Sequence, residues 1–185
     1  MSDNKTPEFL QDADSLCSDA GFATGDVWYH GTSSGLVANI EKQGLIGGGD
    51  AETLQRAQGT LGTIGNRQFE SNDPVFLTQS KELAYYWAQQ KTHTRNLYFQ
   101  KGEEPVVFAV EGDVSISPDV GATAILLEPS NHYILTLQDI YERNKVAWED
   151  VNPLKVPREF YLQKLGMAYS NDAIPATQLT LLKGE

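Results

Sequence analysis

The chain has 185 residues, 40% of them hydrophobic, which is enough for one well-buried core and small for two, so a single domain over 1–185 is expected. Its formal net charge of −11 repels phosphate backbones and anionic lipid, and argues against nonspecific binding to nucleic acid or membrane surfaces. Cys17 is the sole cysteine, so neither an intramolecular disulfide nor a thiolate metal cage can form, and no metal ligand set is expected.

Residues 1–14 lack the basic and apolar regions of a signal peptide, and no apolar run approaches a membrane span. The expectation is a cytoplasmic protein, or one delivered by a secretion machine that needs no such peptide. Within residues 8–20, Phe9, Leu10, Ala13, Leu16, Cys17 and Ala20 follow the spacing of a short amphipathic helix, giving an N-terminal helical extension over 1–25. Val27 to His30 reads as the first strand. Ser33 or Ser34 is placed to cap a helix carrying Leu36, Val37 and Ile40 on one side, and Gly44 is placed to end it. The stretch 46–74 is rich in Gly, Gln, Asp and Asn and reads as a long loop.

Val75 to Leu77 reads as a second strand. Thr78 or Ser80 is placed to cap a helix in which Ala84, Trp87 and Ala88 recur. The basic residues between Lys91 and Lys101, including His93 and Arg95, read as a solvated face. Further on, strands are expected at Pro105–Val110, 124–127, 146–148, 159–162 and 178–182, with a short helix opening at Thr136 to Asp139. Early helices and late strands indicate an α+β fold.

The tripeptide His30-Gly31-Thr32 ends the first apolar run: a strand delivers an imidazole, and a residue without Cβ lets a flat ligand approach the backbone. With the segment Leu36 to Leu45, the run Val75-Phe76-Leu77-Thr78 and the segment Leu83 to Ala88 in that order, the chain resembles the ADP-ribosyltransferase superfamily, in its His-Tyr-Glu branch of diphtheria-type toxins and poly(ADP-ribose) polymerases. The resemblance implies a split β-sandwich core with peripheral helices, NAD as co-substrate and transfer of ADP-ribose to a macromolecule, a protein acceptor being favoured over nucleic acid. Inactive binding of NAD, ADP-ribose or a protein on the same fold is the alternative.

On that resemblance His30 would bind the nicotinamide ribose, the Gly31 peptide would pair with the carboxamide, and Thr32 would support from the side. Phe76, standing where tyrosine is usual, and Tyr86, with Tyr85 as its rival, would sandwich the nicotinamide ring. The chemistry also calls for a carboxylate to stabilise an oxocarbenium-like state. Glu159 is the first candidate, with Asp172 and Glu128 as competitors. Tyr29 stands where the related RNA 2′-phosphotransferases carry arginine, and Pro157 stands two residues before Glu159 where arginine-directed transferases carry Glu or Gln, so both branches are disfavoured.

Overall fold

The computed structural model describes residues 5–22, 25–48, 50–53, 73–128 and 130–184. Its N-terminal segment departs from the expected helix over 8–20. Two 3-10 turns, Glu8–Leu10 and Ala13–Ser15, are followed by a ribbon of β1 (Cys17–Ser18) and β2 (Gly21–Phe22). The apolar spacing is still used, since Leu10 and Ala13 are buried. What interrupts the helix is Asp12: its carboxylate accepts from the backbone N–H groups of Lys81 (2.8 Å) and Glu82 (3.3 Å) and from the Ser80 hydroxyl (2.7 Å). A long-range bond at that position outweighs local helical preference.

β3 (Val27–Ser33) extends the expected strand through Gly31 and Thr32. A 3-10 turn, Ser34–Leu36, then leads into α1 (Val37–Gln43), which ends at Gly44 with φ of 80°. Neither serine caps a helix. The Ser33 hydroxyl donates to Glu103 (2.6 Å), and the Ser34 hydroxyl accepts from the Glu104 N–H (2.9 Å), so both tie this corner to the start of a later strand. Most of the expected loop 46–74 lies outside the described residues.

β4 (Val75–Thr78) runs into α2 (Lys81–Phe99), whose cap is Ser80, accepting from the N–H groups of Glu82 and Leu83. Next come β5 (Pro105–Glu111), β6 (Ser117–Pro118), α3 (Thr123–Leu126), α4 (His132–Arg143), α5 (Arg158–Leu165), β7 (Met167–Ser170) and β8 (Leu179–Leu181). Of the strands expected at 124–127 and 159–162, the first is helical to Leu126 and the second throughout, and 146–148 has no regular structure. Short apolar runs do not by themselves separate strand from buried helix. Here Asp119 accepts from the Gly121 N–H ahead of α3 (2.9 Å), and Trp148 is held edge-on by the Tyr141 ring at 5.2 Å instead of by a strand partner. α4 opens earlier than Thr136, at Asn131, whose side chain caps it.

Apart from the β1–β2 ribbon, the strands form one antiparallel sheet in the order β6-β7-β4-β3-β5-β8, which with the helices makes an α+β fold. One face packs on α2 through Ala84, Tyr85, Val107 and Leu10. The opposite face buries Trp28, Leu77, Phe108 and Val110 under Ile40, Leu45 and Ile174. A third cluster joins Leu83 of α2 to Tyr133 and Leu137 of α4 and to Tyr161 and Leu165 of α5. Among the described residues no helix is long and apolar enough to cross a membrane.

The sheet is unequal along its width. β3 pairs with β5 from Val27↔Glu111 to Ser33↔Pro105, and β4 pairs with β7 along its full length. Between β3 and β4 the ladder consists of one pair, Tyr29↔Thr78.

Candidate functional site at the seam between β3 and β4

The backbone polarity of β3 follows from its neighbours. The Val107 carbonyl accepts from the Leu182 N–H at 2.9 Å, so the polar groups of Val107 face β8. Gly31 is the partner of Val107 across the β3–β5 ladder, so its own N–H and C=O face the other way, toward β4. Continuing the register of Tyr29↔Thr78 would set Gly31 opposite Phe76, but the pairing stops before that point. The regular ladder ends there, at an interrupted junction, the seam.

His30 spans it. Its Nδ1 lies 2.9 Å from the carbonyl oxygen of Phe76. A carbonyl can only accept, so Nδ1 carries the proton and donates, and in the neutral ring Nε2 is left as an acceptor. Burial pushes the imidazole below its ordinary pKa; the Phe76 carbonyl works against this and the charge of Lys91 works with it. The ring is therefore neutral near neutral pH.

Gly31 is required by packing on its other side. A Cβ there would lie 1.8 Å from the Ala84 carbonyl oxygen and 2.8 Å from the Ala88 nitrogen. Both are backbone atoms of α2, so the glycine allows helix and strand to touch while its peptide edge is turned toward the seam. Thr32 is buried, and Phe76, on the β4 face opposite to Val75 and Leu77, is 49% exposed. The His30 ring, the Gly31 peptide and the Phe76 backbone thus meet at this junction, while the Phe76 ring projects from the opposite face of the sheet to the imidazole.

Tyr86 is not brought to them. Its ring lies 5.2 Å from that of Trp87 and 5.3 Å from that of Tyr133. Ala84 and Ala88 form the α2 face that meets β3, and at about 100° per residue position 86 points roughly 180° away from it. Tyr85 is core, packed with Leu10, Ala84 and Val107. The aromatic sandwich of Phe76 with Tyr86 is not formed, because the body of the helix stands between Tyr86 and β3.

Nor do the candidate carboxylates reach the imidazole. Glu159 is in the first turn of α5 and exposed, not at the start of a strand. Asp172, also exposed, follows β7 and lines a cavity of about 390 Å³ with Asp113, Ser115, Ser170 and Ile174. Glu128 is exposed just after α3. Among the described residues the hydrogen bond made by the His30 side chain is the one to Phe76.

What the sequence did not disclose is a buried ionic cluster beside the C-terminal end of β3. The expected solvated face fails at Arg95, which is 1% exposed. Its guanidinium grips Glu103 with Nε (2.6 Å) and Nη2 (2.9 Å) and donates through Nη1 to Asp50. Lys91 lies 3.6 Å from the same Asp50 carboxylate. Bonding to Arg95 holds the Glu103 carboxyl below its usual range; for Asp50 burial acts to raise the pKa, and the bonds from Arg95 and Thr53 outweigh it. One signal was available: Arg95 continues the stripe of Ala84 and Ala88 at helical spacing, and a charge on an apolar stripe calls for a buried partner.

No protein-family model, no curated protein and no solved structure matches this chain.

Proposed function

We propose that the seam between β3 and β4 is a cleft for the nicotinamide end of NAD, and that the chain is an NAD-dependent ADP-ribosyltransferase acting on a protein acceptor. The observation that carries this reading is the single-pair β3–β4 junction, with the His30 imidazole bonded across it to the Phe76 carbonyl and the Gly31 peptide edge turned toward the same junction. A carboxamide offers one acceptor and two donors, the complement of a free peptide edge. Nε2 of a neutral His30 accepts from a ribose hydroxyl. The sheet also supports a split-sandwich reading: β6-β7-β4 and β3-β5-β8 are two halves joined at one residue pair.

The second reading is a module that binds NAD or ADP-ribose without turning it over. It is favoured by the placement of Glu159, exposed on α5 and without a bond to His30. Two measurements separate the readings. Thermal stabilisation by NAD together with nicotinamide release, both lost in His30→Ala, is the result expected for the enzyme. Stabilisation without release identifies the binding module, and neither effect in the intact protein overturns both. If Glu159→Gln releases nicotinamide at the wild-type rate, Glu159 has no part in the reaction and Asp172→Asn is the next variant to assay.

A further inference from the structure

The last turn of α5 carries Lys164 into a cavity of about 310 Å³, enclosed by Asp19, Gly21, Tyr141, Val146, Glu149 and Phe160. The Lys164 amine lies 5.0 Å from the ring centre of Tyr141 and 4.8 Å from that of Trp148. Those two rings stand at 87° to one another, forming a corner. The corner is fixed, because the buried Tyr141 donates its hydroxyl to the carbonyl of Lys164 at 2.8 Å. Among the described residues no carboxylate oxygen lies within the 4.0 Å of Nζ that would make an ion pair. A half-buried amine is thus held by ring faces at the wall of an open cavity.

We propose that this cavity is a carbonyl-binding site in which Nζ of Lys164 condenses with a small, neutral aromatic aldehyde. An amine partly withdrawn from water spends more of its time unprotonated, which is how proteins make lysine nucleophilic. Burial lowers the Lys164 pKa in this sense, against the opposing charge of Glu149. The neighbouring Cys17 does not compete, because burial raises its pKa and keeps it a thiol.

The step balances with groups that line the cavity. Asp19 or Glu149 takes a proton from the ammonium through solvent water, since neither carboxylate lies within 4.0 Å of Nζ, and the nitrogen lone pair forms a C–N bond as the carbonyl π pair moves to oxygen. The nitrogen gives its second proton to that oxygen, and the protonated carboxyl then supplies the proton with which the hydroxyl leaves as water. The charge ends on an iminium and the carboxylate is restored. Tyr141 and Phe160 of the lining select a flat apolar ring, Trp148 backs the Lys164 amine beside them, and Asp19 and Glu149 repel an anionic ligand.

The test incubates the full chain with benzaldehyde and sodium cyanoborohydride, followed by peptide mapping by mass spectrometry. Lys164 is expected to be benzylated roughly tenfold faster than Lys81 or Lys155. That preference is expected to fall with 4-carboxybenzaldehyde as the probe, and in a Trp148→Leu variant shown by circular dichroism to be folded. Labelling of Lys164 no faster than the other two lysines overturns the proposal, and so does an undiminished preference in folded Trp148→Leu.

Discussion

An imidazole that gives one nitrogen to a backbone carbonyl keeps only the other for a ligand, and that is the state of His30. Because burial depresses its pKa, the unfolded chain binds more protons than the folded one in the window just below the ordinary imidazole value of 6.5. Stability from this residue is present above that value and lost as pH falls through the window. A melting temperature followed from neutral pH downward is expected to drop in the wild type and to drop less in His30→Gln, which retains a donor for Phe76 but does not titrate. At the adjacent position Gly31→Ala drives a methyl into the Ala84 carbonyl, which as helix backbone cannot swing aside. A loss of about 1–3 kcal/mol is expected, measurable by denaturant titration with no ligand present.

At the level of elements, α2 organises both the sheet and the ionic cluster. Replacing Arg95 by leucine leaves the buried carboxylates of Asp50 and Glu103 without their cation. A destabilisation of about 3–5 kcal/mol is expected in urea unfolding, larger than that from losing any exposed ion pair, and adding Glu103→Gln should recover part of it. The start of this helix was legible in the sequence because Ser80 is a local signal, and β3, β4 and β5 were legible because branched and aromatic residues alternate or cluster there. Arg95 was not, since its partners come from positions 50 and 103. The segments 124–127 and 159–162 were read as strands for the same reason: their apolar runs are too short to show a period, and contacts with α4 and β7 decide their shape. Of the proposed cleft, the neighbourhood of His30, Gly31 and the Phe76 backbone was legible from strand order, whereas the face taken by the Phe76 ring depended on strand register and the place of Tyr86 on the rotational phase of α2.

For the molecule as a whole, the β3–β4 junction sets two neighbouring amides apart. The His30 N–H faces β5 within a continuous ladder, while the Gly31 N–H faces the seam. Hydrogen exchange is therefore expected to be slow at His30 and fast at Gly31, and NAD is expected to slow Gly31 selectively; equal protection at both positions without ligand would mean that the two halves of the sheet are sealed together. The acidic surface bears on the acceptor at this scale too: with a net charge of −11, turnover on a basic protein should fall as salt is raised, and turnover on an RNA should not be seen at physiological ionic strength.

The carboxylate of Asp12 has a practical corollary for anyone shortening this chain. It supplies acceptors to the first amides of the longest helix, and Arg143 clasps the same corner through Asp14 and Glu82. A truncation starting at residue 15 would look harmless, since what it removes of the described chain is short turns, yet it would unfasten the helix on which Gly31 rests. Expression boundaries are best drawn upstream of Pro7, and a tag belongs at the other terminus.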